Sequence, residues 1–212
     1  MHGSQSDRHG IINFMDKVEL DDKIVVYSNF FDNPMSFAEE ADIIFQKFPK
    51  LKYKLATINN HEYNPEIRSC KVFSLNTQAL NHDVVFGLGS KTAKNLLNKA
   101  INKKTFECMN DYFKTYNFSI KTRESWELLE YEETQKLAWH SDHGDSHPCQ
   151  VSFVYYFNDD YTGGEVEFKN YIGYPYKPKA GDLLIFPSSP EYIHRVLPIE
   201  SGTKYNAISF AK

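Results

Sequence analysis

A chain of 212 residues is long enough for one domain with a substantial core. Its net charge of −4 and lack of a long basic run do not suggest tight non-specific nucleic-acid binding, and no stretch approaches the ~18 apolar residues of a membrane span. Hydrophobic residues make up 41% and aromatics 15%, a load that favours a β-rich core with bulky packing.

Residues 1–10 are polar and have no apolar segment of the kind a signal peptide needs. They read as a flexible lead-in to a single domain over residues 11–212, soluble and cytoplasmic. Cys70, Cys108 and Cys149 are odd in number and lack zinc-ribbon spacing, so they read as reduced thiols. Cys149 reads as a small core residue.

Residues 23–27 are a β-branched run and predict a strand. Asp32 or Asn33 then offers a helix cap with Pro34 in the first turn. Phe37, Ala41, Ile44, Phe45 and Phe48 follow at helical spacing until Pro49. Residues 53–67 form a polar-aromatic loop that could cover a substrate, and 68–75 read as a strand. Ser90 is the expected cap of a long helix whose stripe runs through Ala93, Leu97, Ile101, Met109 and Phe113 to Tyr116, packed behind a sheet.

From Ser119 the pattern is β. Strands are expected at 126–131, 136–140, 150–157, 165–168, 182–186, 193–197 and 204–211. In 150–157, Val151, Phe153, Tyr155 and Phe157 share one face, a core strand. Residues 158–164 make a turn of permissive residues. Many short strands with turn signals mean a sandwich or barrel.

His140 and Asp142 are two positions apart, and residues i and i+2 of a strand face the same way. One imidazole and one carboxylate can therefore aim at a common point. A third ligand from a later strand would complete a two-His, one-carboxylate facial triad, which leaves positions open for substrate and O₂. His194 follows the 181–187 run. Lys204 lies ten residues beyond it on an apolar strand, where a buried ammonium needs an anion. Tyr131 lies nine residues before His140. Together Lys204 and Tyr131 could hold the far carboxylate of a dicarboxylic co-substrate, with Thr203 and Ser209 as weaker candidates for that pocket.

Nearby residues have plainer readings. His143 should point to the other side of the strand, while His147 could face the site. Trp139 reads as a core aromatic and Arg195 as a contact to substrate or solvent. Glu165 and Glu167 follow a hairpin turn and do not suggest paired carboxylates across a cleft.

Tyr131, His140-Ser141-Asp142, Gly163-Gly164-Glu165, the 181–187 run, His194 and Lys204 resemble the prolyl 4-hydroxylase-like branch of the Fe(II)/2-oxoglutarate dioxygenases, over roughly the C-terminal half. The resemblance implies a mainly β protein with flanking α-helices and a double-stranded β-helix (jelly-roll) core. It implies Fe(II) held by His140, Asp142 and His194. It also implies 2-oxoglutarate bound through Lys204 and Tyr131, O₂ as oxidant, and ascorbate as supporting reductant. The expected reaction hydroxylates a C–H bond, of a prolyl residue in a peptide or protein, with release of succinate and CO₂. A free amino acid or other small molecule is the alternative substrate, and a non-catalytic β-barrel binding module the alternative outside enzymes. A monomer or weak homodimer is expected.

Overall fold

The computed structural model describes residues 15–49, 51–57, 63–77, 88–145, 147–171 and 173–212. The expected flexible residues 1–10, and positions 58–62 of the candidate covering loop, lie outside them. In chain order the elements are β1 (Asp16–Asp21), β2 (Ile24–Ser28), α1 (Ser36–Lys47), β3 (Lys54–Leu55), β4 (Lys71–Ser74) and α2 (Leu88–Tyr116). There follow β5 (Glu127–Tyr131), β6 (Leu137–His140), β7 (Val151–Tyr156), β8 (Thr162–Gly163), β9 (Val166–Phe168), β10 (Leu183–Pro187), β11 (His194–Val196), β12 (Ile199–Ser201) and β13 (Lys204–Ala211).

Eight strands form a major sheet in the order β1-β2-β10-β7-β13-β5-β4-β3. A minor sheet, β6-β11-β9, and a small pair, β12-β8, lie apart from it. The described pairings are antiparallel. This is the jelly-roll layout the sequence leads one to expect, with both helices on one side.

The period-2 alternation of β7 divides the molecule. Val151, Phe153 and Tyr155 join Phe37 and Ala41 of α1 and Leu97, Ile101 and Tyr112 of α2 in one buried core. Burying each such aromatic or aliphatic side chain is worth about 1.5–3 kcal/mol. Ser152, Val154 and Tyr156 point the other way, towards the minor sheet, where Tyr156 packs with Val166, Phe168, Leu184 and Phe186. The helices thus buttress the sheet from behind and leave its other face for a cavity. Asparagines fix α2 to the sheet: Asn102 Oδ1 accepts from the buried Trp126 indole at 2.7 Å, and Asn98 Oδ1 from the Trp126 backbone N–H at 2.9 Å.

Several boundaries differ from expectation. α1 is not capped by the side chain of Asp32 or Asn33. The main-chain carbonyl of Asn33 instead accepts from the Ser36 N–H and hydroxyl at 3.2 and 2.7 Å, so a turn leads into the helix. α2 starts at Leu88, and Ser90 is buried inside its first turn rather than capping it. β1 and β12 give no apolar run to detect: β1 reads DKVELD and is held by register with β2, Lys17 opposite Tyr27 and Val18 opposite Val26. Among the described residues no helix is long and apolar enough to cross a membrane.

Candidate active site

β6 ends on His140 and β11 begins on His194, and the two are direct cross-strand partners. Their rings sit side by side, with centroids 4.2 Å apart. Each ring is oriented by its own backbone: His140 Nδ1 lies 2.9 Å from the Ala138 carbonyl and His194 Nδ1 lies 3.0 Å from the Tyr192 carbonyl. A carbonyl only accepts, so both Nδ1 atoms carry a proton and Nε2 is the nitrogen each ring turns towards Asp142.

Asp142 completes the group by a different route from the one the sequence suggests. It lies beyond the end of β6, in a bend, so strand alternation does not aim it. The Ser152 hydroxyl donates to Asp142 Oδ2 at 2.6 Å, and the next N–H, of His143, donates to the Ser188 carbonyl at 3.0 Å. The bend is thereby tied to β7 and to the end of β10. Asp142 Oδ1 is 3.3 Å from His140 Nε2, and Oδ2 is 3.8 Å from His194 Nε2. An octahedral cation with bonds of about 2.1 Å separates adjacent donors by about 3 Å, so the three side chains can hold one metal ion on a shared face.

Charge agrees with geometry. Burial lowers the His194 pKa to about 4, which keeps this imidazole neutral and able to donate its lone pair. Burial also pushes the Asp142 carboxyl up, but His194, His140 and the Ser152 hydroxyl together hold it well below the usual carboxylate range. For His140, burial lowers the pKa and the Asp142 carboxylate more than restores it, leaving it raised.

Lys204 opens β13 directly opposite Tyr131 of β5. It is only 1% exposed. Its Nζ donates to the Gly164 carbonyl at 2.7 Å and lies 5.2, 5.6 and 5.8 Å from the ring centres of Tyr156, Tyr131 and Tyr161. Among the described residues no carboxylate pairs with it. Burial, then the neighbouring Lys177, lower its pKa to about 7. Around it the Tyr156 and Tyr161 hydroxyls and Asn206 Oδ1 are buried without a hydrogen-bond partner. The Tyr131 hydroxyl is engaged with Cys70. An ammonium and unsatisfied hydroxyls in one dry place fit an absent carboxylate.

One cavity of about 690 Å³ connects these parts; His140, Asp142, His194, Lys204, Tyr131 and Tyr156 all line it. Tyr156, Asn206 and Ser152 were not singled out from sequence. Tyr156 carries no motif, but the alternation that gives Phe153 and Tyr155 to the core assigns it to this face. Arg68 and Glu127 also line the cavity and carried no motif.

His143 Nδ1 donates to the Cys149 carbonyl at 2.7 Å and stays out of the donor group. His147 Nε2 meets Glu124 Oε1 at 2.9 Å, and the buried Cys149 Sγ lies 3.2 Å from its Nδ1, a separate cluster that Lys212 also joins at Glu124. Trp139 is not a core aromatic. It is 42% exposed and carries the Arg195 guanidinium 4.6 Å from its ring centre, while Arg195 pairs with Glu167. Ser209 faces away from the cavity and donates to the Glu124 carbonyl at 2.8 Å.

The jelly roll thus carries a two-His, one-Asp donor face and a buried basic residue in the same cavity. Residues 126–212 match the model of the 2OG-Fe(II) oxygenase superfamily. Over most of its length the chain shares its fold with solved prolyl hydroxylases. A Trichoplax adhaerens prolyl hydroxylase, solved with a peptide fragment of the hypoxia inducible factor oxygen degradation domain, superposes with a TM-score of 0.63 at 16% identity, covering 89% of this chain and 83% of its own. A Pseudomonas putida prolyl-4-hydroxylase gives 0.59 at 16% identity, covering 88% and 90%. The viral collagen prolyl hydroxylase of Paramecium Bursaria Chlorella virus-1, as its 2OG complex, gives 0.56 at 19% identity, covering 90% and 96%. No curated protein sequence matches the chain.

Proposed function

We propose that this protein is a 2-oxoglutarate-dependent dioxygenase that hydroxylates a C–H bond of a prolyl unit, with His140, Asp142 and His194 holding Fe(II) and with Lys204 binding the distal carboxylate of 2-oxoglutarate. The observation that carries the reading is the buried Lys204 ammonium. It has no carboxylate partner among the described residues, and it shares one cavity with a preformed donor face. The prolyl part rests on the fold shared with prolyl hydroxylases, one of which was solved with a peptide.

Bound Fe(II) would supply the activation of O₂ that converts 2-oxoglutarate to succinate and CO₂ and places the second oxygen atom in the substrate C–H bond. The chain's own residues do the rest. The carbonyls of Ala138 and Tyr192 keep both imidazoles in the metal-binding tautomer. Ser152 holds Asp142 in place. Lys204, with the Tyr131 and Tyr156 hydroxyls beside it, orients the co-substrate. Val154, Leu184 and Phe186 line an apolar wall that keeps water from the reacting centre. Ascorbate would sustain turnover by keeping the metal ferrous.

Anaerobic addition of Fe(II) and then 2-oxoglutarate should give the weak visible band of a keto-acid chelate in the wild type and none in His194→Ala. A folded wild-type protein that gives no band would defeat the assignment and favour a binding module.

A further inference from the structure

The proposed reaction leaves two charged groups of the cavity unused. Arg68 lies just before β4, bridged to Leu137 of β6. Its guanidinium contacts Cys70, but its Nε is buried without a hydrogen-bond partner. Glu127 opens β5 on the face that carries Leu129 and Tyr131, with Ile208 of β13 and Ser74 of β4 as its cross-strand neighbours. Both line the cavity that contains the donor face. Arg68 feels the Glu127 charge, yet the two make no direct ion pair, and among the described residues the Glu127 carboxylate makes no hydrogen bond. Lys204 and Asn206 occupy the β13 positions leading up to Ile208, so Glu127 stands further along the wall than the proposed co-substrate end.

A prolyl residue inside a peptide presents an amide and a carbonyl, both uncharged. It would offer the guanidinium only a neutral acceptor and leave the carboxylate with no counter-charge, and a desolvated charge without its counter-ion is costly. A free α-amino acid carries an ammonium and a carboxylate a few ångströms apart. From the cavity geometry we infer that the substrate is a free zwitterionic α-amino acid, proline in the first instance, with its carboxylate on Arg68 and its ammonium on Glu127. This deepens the proposed function and rests on it. A site built around such groups rejects analogues lacking them more strongly than an apolar pocket rejects a missing methylene.

The test is ligand-observed NMR of pooled free α-amino acids against the protein loaded with Zn(II) in place of Fe(II) and with 2-oxoglutarate. The pool is followed by its N-acetyl and C-amide counterparts and by a prolyl peptide. At least one free amino acid should bind, and blocking either end should weaken binding at least tenfold. Glu127→Gln should erase the penalty for N-acetylation and Arg68→Gln the penalty for amidation, with melting temperatures close to wild type and 2-oxoglutarate affinity within twofold. If either variant fails to fold, Glu127→Asp or Arg68→Lys takes its place and should shift the same ratio. Binding of the peptide with none by any free amino acid overturns the inference, as does silence from the whole pool. A loss of 2-oxoglutarate affinity in Arg68→Gln with substrate binding unchanged would overturn it too, by placing Arg68 at the co-substrate. The keto-acid band is read without substrate, so its absence marks failure of the proposed function instead.

Discussion

Lys204 is the residue whose placement is hardest to explain by stability. Its charge is buried with a single hydrogen bond, and a buried ammonium without an anion carries a desolvation cost that an apolar side chain of similar size avoids. Lys204→Met should therefore melt higher than wild type in the absence of ligands and lose 2-oxoglutarate binding. A lower melting temperature would show that the ammonium supports the fold. The same burial makes binding depend on pH. Lys204 titrates near 7 in the free protein, and a bound carboxylate raises that value. The protonated form is the one that binds, so apparent affinity is flat below pH 7. It falls by up to about tenfold per pH unit above pH 7 until the bound-state value is passed. Calorimetry in buffers of different ionisation enthalpy should register proton uptake on binding at pH 8; affinity constant from pH 6 to 9 would count against the role. Sequence spacing made Lys204 and the two histidines legible because each sits on a strand end at a fixed distance from the others. Arg68 and Glu127 were not, because lining a common cavity is a fact about three-dimensional neighbours.

Turns carry as much of the site as strands do. Gly164, between β8 and β9, has φ of +67°, and a Cβ there would meet Ile199 Cδ1 at 2.5 Å and Lys204 Cδ at 3.4 Å. Its carbonyl is what holds Lys204 Nζ. Gly164→Ala should cost about 1–3 kcal/mol through backbone strain and overpacking and raise KM for 2-oxoglutarate several-fold. A destabilised variant with unchanged KM would mean that Lys204 holds its position without that bond. Asp142 likewise owes its proximity to His140 not to strand alternation but to the bend after β6, tied by Ser152 and Ser188. The element boundaries least visible in sequence were those set by pairing alone. β1 is polar and short of apolar signal, and α2 begins before the serine that looked like its cap.

In the whole molecule, the helical layer and the cavity occupy opposite faces of one sheet. Phe37 of α1 packs against Tyr155 and Phe157 with ring centres 5.9 and 5.8 Å apart. Phe37→Ala should therefore cost about 3–5 kcal/mol of stability. KM values measured well below its lowered melting temperature should match wild type. A changed KM for 2-oxoglutarate would show that the outer layer shapes the cavity. Fold class was legible throughout the C-terminal half because period-2 runs separated by turn residues have few other solutions. The eight-strand order was not, since β2 pairing with β10, and β5 with β13, joins segments far apart in the chain.

The division of labour across β7 has an evolutionary consequence. Adjacent positions answer to different selective pressures: Val151, Phe153 and Tyr155 to how much folded protein survives in the cell, Ser152, Val154 and Tyr156 to what that protein converts. In a saturation scan scored for both abundance and turnover, fitness effects along this strand should alternate residue by residue. A lineage could change substrate by substituting every second residue without renegotiating its core.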